Sequence, residues 1–112
     1  MNTRLQQRIS GGTVFVFSLI IYLLTIEPTA SFWDCSEFIA CAYKLEVGHA
    51  PGAPLYLLLG RVFALFAAGN TQYAALAINT LSAVASALTV MLLFHIIYWF
   101  SVKLSSKVNP AI

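Results

Sequence analysis

The 112 residues of this chain are 60% apolar and only 9% charged, and their mean hydropathy is +0.84. An ordinary soluble domain has about 25% charged residues, so this composition excludes that class and indicates an integral membrane protein. The formal net charge of +2 is small and the basic residues are scattered, which excludes a nucleic-acid-binding surface.

The first apolar stretch, residues 9–26, follows a short basic segment and carries no charge between Arg8 and Glu27. At about 1.5 Å per residue a helix of this length spans roughly 27 Å, close to the thickness of a hydrocarbon core. We therefore predict a basic N-terminus at residues 1–8 and a first transmembrane helix at residues 9–26. A cleavable signal peptide is the alternative, but its apolar region is typically shorter, about 7 to 15 residues.

A second apolar stretch without charge, residues 74–100, predicts a second transmembrane helix. Two spans place the basic residues of both ends on the same side of the membrane, as the positive-inside rule requires. These residues are Arg4, Arg8, Lys103 and Lys107. Both termini, residues 1–8 and 101–112, are therefore predicted to be cytoplasmic, and residues 27–73 form an external loop. We place the protein in the bacterial inner membrane with this loop in the periplasm.

The loop contains a third apolar segment, residues 54–68, which is short and has Arg61 at its middle. A central arginine costs about 2.5 to 3.5 kcal/mol in a transmembrane helix, so we predict an amphipathic helix that lies along the membrane interface. Arg61 would there either snorkel to lipid phosphate or bind a phosphorylated lipid substrate, and the sequence favours neither explanation over the other.

The acidic residues are confined to the same loop, and two of them lie on a predicted helix. Ser31 followed by Asp34 resembles a capping box, and Gly48 is a plausible stop, so the helix should cover residues 32–47. Helical spacing puts four of its side chains on one face and gives an acid-led polar stripe. These side chains are Asp34, Glu37, Cys41 and Lys44.

Each polar residue of the loop also has a structural explanation. Capping accounts for Asp34 as well as catalysis does, and exposure to water or headgroups accounts for Glu37 and Lys44. His49 lies in a turn rich in glycine and proline, where histidine more often makes a structural hydrogen bond. No zinc site, phosphate-binding loop or cofactor motif is evident, and the sequence leaves a divalent metal open.

Small and polar residues recur every three or four positions along the second span. Such a stripe lets helices approach closely in lipid, so we expect further transmembrane helices of the same protein or of a complex as partners. His95, deep in the same span, has no obvious partner and is a weak indication of function. The stripe comprises Ala75, Asn79, Ser82, Ser86 and Thr89.

Four segments together resemble the N-terminal region of a family of polytopic membrane proteins related to protein O-mannosyltransferases. The resemblance covers residues 10–102 and implies a fragment of a larger multi-span bundle of the glycosyltransferase C (GT-C) superfamily. Such enzymes take a sugar from a polyprenyl phosphate at the outer face of the membrane. The segments are Glu-Pro-Thr at 27–29, Phe-Trp-Asp-Cys-Ser-Glu-Phe-Ile-Ala at 32–40, Ala-Tyr-Lys-Leu at 42–45, and Val-Gly-His-Ala-Pro-Gly-Ala-Pro-Leu at 47–55.

The resemblance implies that Asp34 is the base that deprotonates the acceptor hydroxyl, with Glu37 as its supporting neighbour. It also implies an inverting transfer of a mannose-like sugar to a protein Ser or Thr. A phosphate leaving group benefits chiefly from cations, and the candidates are His49, Arg61 and Lys44. Because the other spans of such enzymes are absent here, this chain alone should be inactive.

A non-enzymatic hairpin is the alternative hypothesis. In it, two transmembrane helices form a small structural or assembly subunit, and the acids only cap and solvate the loop. The coding sequence beyond Ile112 separates the two hypotheses, because further apolar spans favour the transferase and a stop favours the hairpin.

Overall fold

The computed structural model describes residues 3–108, and the side chains of residues 4–105. Within this range the chain forms four α-helices and a 3-10 turn, with no strand, so the all-helical fold class is confirmed for this part. The outermost residues of both predicted cytoplasmic ends, and the side chain of Lys107, lie outside the described residues. The elements are α1 (Thr3–Leu24), α2 (Cys35–Lys44), α3 (Pro54–Ala64), the 3-10 turn Leu65–Ala67 and α4 (Thr71–Val108).

Two of the helices are long and apolar enough to cross a membrane, Arg4–Leu24 in α1 and Thr71–Ser105 in α4. Most of their apolar side chains are exposed, as lipid-facing side chains would be and those of a soluble core would not. These two helices indicate a membrane protein. The span of 35 residues in α4 is about 52 Å long, which exceeds the hydrocarbon core and extends the helix beyond it.

The chain divides into two compact units. One unit combines Met1–Tyr22 with Ala85–Ile112, and the other is the continuous segment Leu23–Val84. The second unit contains α2, α3 and the beginning of α4, and all four aspartate and glutamate residues of the chain fall within its range.

Helix α2 is shorter than the predicted helix at residues 32–47. Trp33 adopts a left-handed conformation with φ 64°, which is incompatible with helix, so the chain turns through Phe32–Asp34 and α2 begins at Cys35. Asp34 is the N-cap residue and its side chain makes no capping hydrogen bond, so the predicted capping box is wrong. At the other end Leu45, with φ 59°, ends the helix before Gly48.

Helices α2 and α3 pack closely around a small apolar core. Pro54 begins α3, where its missing N–H costs nothing. Gly60 permits the close approach, because a Cβ at this position would lie 2.9 Å from the Cβ of Ala42. Cys41, predicted on the polar stripe, is instead buried at this contact. The core residues are Ile39, Cys41, Ala42, Leu57, Ala64 and Ile78.

The outer side of α3 is apolar and exposed. Its leucines and Val62 are between 42% and 71% exposed, with the single exception of buried Leu57. An exposed apolar face of this kind is typical of a helix that meets lipid or another protein. The membrane-surface position of the segment 54–68 stays a prediction.

Asn79 of α4 binds the segment of chain that follows α1. Its amide Nδ2 donates to the backbone carbonyls of Glu27 and Thr29 at 2.9 and 3.1 Å. The Glu27 carboxylate in turn accepts hydrogen bonds from the backbone N–H and the hydroxyl of Thr29. Asn79 therefore anchors the entry to the loop, whereas Ser82, Ser86 and Thr89 of the predicted stripe are exposed.

Candidate functional site

Glu37 binds the turn that carries His49 with both of its carboxylate oxygens. The backbone N–H of His49 donates to Oε1 at 2.7 Å, and Nδ1 of the same residue lies 2.9 Å from Oε2. Gly48 leaves room for this contact, since a Cβ there would lie 3.1 Å from Oε1 of Glu37. The turn closes with a hydrogen bond from the Gly52 N–H to the His49 carbonyl at 2.8 Å. The loop after α2 thus folds back onto the first turn of that helix.

Asp34 completes an arrangement that we call the acid–histidine cluster, made of Asp34, Glu37 and His49. Because Glu37 engages Nδ1, the opposite ring nitrogen of His49 is available, and it lies 3.9 Å from Oδ2 of Asp34. All three side chains are between 40% and 59% exposed, so the cluster is open to a substrate. One ligand atom from each residue lies within 4.8 Å of the others, a spacing that could also hold a divalent cation.

The contact changes the protonation of two members of the cluster. Hydrogen bonds from the backbone N–H and then the ring of His49 hold the pKa of Glu37 below its ordinary value. The hydrogen bond to Glu37, followed by the negative charges of Glu37 and Asp34, raises the pKa of His49. Both shifts favour the ion pair, with Glu37 ionised and His49 protonated to a greater extent than a free histidine.

An apolar cavity borders the cluster. It has a volume of about 330 Å³ and is lined by Cys35, Phe38, Ala53 and Tyr56. The Phe38 ring packs edge-on against the Tyr56 ring, with 5.7 Å between the ring centroids, and its centroid lies 6.3 Å from that of the His49 ring. Phe38 therefore lines the cavity and also lies beside His49, so an amphipathic molecule in the cavity could reach the charged groups.

Lys44 and Arg61, predicted together with His49 to bind substrate, make other contacts. The Nζ of Lys44 lies 3.9 Å from Oε1 of Glu46, and both side chains are largely exposed. Nη1 of Arg61 donates to the Tyr43 carbonyl, and the guanidinium lies 5.8 Å from the centre of the Tyr43 ring. Arg61 therefore links α3 to the last turn of α2. Of the three predicted substrate-binding residues, only His49 is brought to Asp34 and Glu37.

The sequence did not predict that Glu37 holds His49. The two residues are 12 positions apart, on either side of a helix end and a proline turn, so no periodicity relates them. The sequence did contain one indication of this contact. Two glycines and two prolines at residues 48–54 predict a tight turn directly after an acidic helix.

Residues 34–111 match the sequence model of the family described as Protein O-mannosyl-transferase TMEM260 N-terminal domain. The chain belongs to this family. The resemblance to O-mannosyltransferase-like proteins found in the sequence is therefore confirmed, and the matched region begins at Asp34.

Two curated relatives carry the same description. The chain is 31% identical over 85 residues to Protein O-mannosyl-transferase tmem260 of Dictyostelium discoideum, which covers 76% of this chain and 10% of the relative. It is 32% identical over 93 residues to Protein O-mannosyl-transferase TMEM260 of Mus musculus, covering 80% of this chain and 13% of the relative. The chain thus spans little more than a tenth of these relatives. No solved structure shows a significant match.

Proposed function

We propose that this chain is the N-terminal catalytic-loop segment of a membrane glycosyltransferase. The complete enzyme would move a mannose-like sugar from a polyprenyl phosphate to an acceptor hydroxyl, on a protein Ser or Thr. Family membership and the names of both relatives support a glycosyltransferase role. The observation that carries the proposal is the acid–histidine cluster, in which Glu37 fixes His49 and leaves its free nitrogen beside Asp34.

In the proposed reaction Asp34 accepts the proton of the acceptor hydroxyl. The acceptor oxygen forms a bond to the anomeric carbon of the donor, and the bond from that carbon to the phosphate oxygen breaks. The phosphate leaves with the electron pair, and the configuration at the anomeric carbon is inverted. Proton removal by a positioned base contributes typically about 10² to 10⁴ in rate.

Glu37 acts on His49 in this proposal and not on the substrate. It fixes the imidazole through Nδ1 and the backbone N–H, and it raises the pKa of His49. A protonated His49 would place a positive charge where the negative charge of the departing phosphate develops. Lys44 and Arg61 stay proposed phosphate contacts in the assembled enzyme.

The same three side chains could hold a divalent cation, and we propose that transfer proceeds without one. The hydrogen bond to Glu37 and the charges of Glu37 and Asp34 raise the pKa of His49, and a protonated imidazole has no lone pair to offer a metal. Transfer should therefore persist in EDTA, and a loss of transfer that Mn²⁺ or Mg²⁺ restores would assign the cluster to metal binding instead.

The proposed membrane arrangement follows the sequence prediction. Residues 27–73 would face the non-cytoplasmic side, which is the periplasm in a bacterial inner membrane, and both termini would be cytoplasmic. Exposed leucines on α3 support contact of the loop with membrane lipid and with a polyprenyl chain. The exposed Ser82, Ser86 and Thr89 support packing of α4 against further transmembrane helices.

Asp34→Asn tests the proposed function. The protein is expressed from its complete reading frame, and transfer of radiolabelled mannose from polyprenyl phosphate to a peptide is measured in vesicles. We expect a loss of at least about 100-fold, because the amide cannot accept the proton. Membrane insertion should be unchanged, and Glu46→Gln, a change of equal size in the same loop, should retain transfer. Preserved transfer by Asp34→Asn would exclude Asp34 as the base.

A further inference from the structure

Trp33 is the most exposed large apolar side chain among the described residues, with 93% of its surface accessible. It immediately precedes Asp34 in the turn that leads into α2. Its backbone is left-handed, with φ 64°, a conformation that is a genuine outlier for a bulky residue. Strained residues of this kind cluster at active sites and ligand clamps, where the surrounding structure maintains them. Exposure and strain therefore coincide next to the proposed base.

The proposed reaction limits what can lie beside Trp33. The acceptor oxygen must contact Asp34, and the anomeric carbon must lie about 3 to 3.5 Å from that oxygen to react. The sugar ring of the donor is consequently within about one ring width of Asp34. A serine or threonine acceptor offers little flat apolar surface, whereas one face of a hexopyranose consists of C–H groups.

From this juxtaposition we propose that the indole of Trp33 is the platform on which the hexopyranose ring of the donor stacks. The inference rests on the proposed function and adds a sugar-binding residue to it. The electron-rich face of an indole attracts C–H groups with partial positive charge, and its large flat area matches a pyranose. The left-handed backbone keeps Trp33 out of the helix, and its side chain is exposed immediately before Asp34 in the chain.

Phe32 provides a matched comparison. It is the neighbouring aromatic residue and is 89% exposed, so a role in anchoring the loop to the membrane interface would apply to both residues. Phe32 is one residue farther from Asp34 and does not have a positive φ. The sugar platform therefore predicts different effects at positions 32 and 33, and a membrane anchor predicts similar ones.

Three variants of the full-length protein in vesicles test the platform: Trp33→Gly, Trp33→Phe and Phe32→Ala. Trp33→Gly removes the ring and relieves the strained backbone, so a purely conformational role would leave KM for the donor unchanged. We expect KM to rise about tenfold, the equivalent of one good aromatic contact. Trp33→Phe and Phe32→Ala should stay within about threefold of the unchanged protein.

Equilibrium binding of a short-chain prenyl phosphate that carries mannose gives a second readout, which does not require transfer. Binding should weaken in Trp33→Gly and persist in Asp34→Asn, which separates this inference from the assignment of the base. The same prenyl phosphate without sugar should bind Trp33→Gly and the unchanged protein equally. Unchanged donor binding by Trp33→Gly, or equal losses in Trp33→Gly and Phe32→Ala, would overturn the platform, and equal losses would favour a membrane anchor.

Discussion

The two histidines of the chain lie in contrasting surroundings. His49 is in the exposed loop, where Glu37 engages its backbone and its ring and Asp34 faces the opposite nitrogen. His95 is within α4, where its Nδ1 accepts a hydrogen bond from the Gln7 amide at 3.4 Å. It also packs against Gly11, where a Cβ would lie 2.5 Å from its Nε2. One histidine has charged partners, and the other has an amide and a glycine.

This difference indicates separate roles. Carboxylates favour the protonated imidazole, so His49 is suited to chemistry that needs a cation. His95 instead contacts the Gln7 amide and Gly11, so it is suited to packing between α1 and α4. Such contacts in lipid are worth about 0.6 kcal/mol on average. One histidine of the chain thus pairs with carboxylates in the loop, and the other packs between two helices.

Among the changes that leave Asp34 in place, removing the carboxylate that holds His49 should have the largest effect. In Glu37→Ala the turn at residues 48–52 loses both of its hydrogen bonds to α2, so the imidazole is no longer fixed beside Asp34. We expect transfer to fall about 100-fold, as when a reacting group is misplaced by about 1 Å. The assay is mannose transfer by the full-length protein. Glu46→Ala is the control, and an equal loss in both variants would refute the positioning role of Glu37.

A smaller effect is expected where His95 meets Gly11. Adjacent Gly12 is a matched control, because a Cβ at Gly12 has no atom within 4 Å. Both substitutions to alanine gain helix propensity, but Gly11→Ala must displace the His95 ring and break its bond to Gln7. We expect Gly11→Ala to be less stable than Gly12→Ala by about 1 kcal/mol in denaturant unfolding from micelles.

The double variant Gly11→Ala/His95→Ala should remove that difference, since the alanine at position 95 leaves space for the new methyl group. If Gly11→Ala and Gly12→Ala prove equally stable, the contact between the two helices contributes nothing measurable. Transfer should not distinguish the two single variants, because His95 has no proposed part in the chemistry.

The sequence predicts what depends on long patterns and misses what depends on single backbone angles. Two apolar stretches suffice to predict α1 and α4, and an unusual run of residues around Asp34 suffices to identify the family. The predicted ends of α2 are wrong because the backbones of Trp33 and Leu45 are left-handed, a conformation that such residues rarely adopt.

The candidate site shows the same limit. Asp34, Glu37 and His49 were each named from the sequence, but their meeting depends on how the turn after α2 folds back. Cys41 was assigned to the polar face because helical spacing alone does not tell which face α3 covers. Arg61 was expected to face phosphate, and its contact with the Tyr43 carbonyl depends on the close packing that Gly60 permits.

The smallest predicted effect is on the pH dependence of transfer. The pKa of Glu37 is lowered from 4.5, so its contact with His49 is complete above that pH and is lost as the pH falls through the lowered pKa. The pKa of His49 is raised from 6.5, so the charged contact is complete below that pH and is lost as the pH rises through the raised pKa. Transfer should therefore change only a few-fold between these two limits.

Glu37→Gln shows whether the pair sets this range. The amide weakens the hydrogen bond and removes the negative charge that together raise the pKa of His49. That pKa should therefore return toward 6.5, and the alkaline decline of kcat/KM should move to lower pH. Glu46→Gln removes a charge that pairs with Lys44 and should leave the profile in place. The decline can be followed independently by NMR titration of the His49 ring. If the ring titrates at the same pH in Glu37→Gln and in the unchanged protein, the contact does not control the charge on His49.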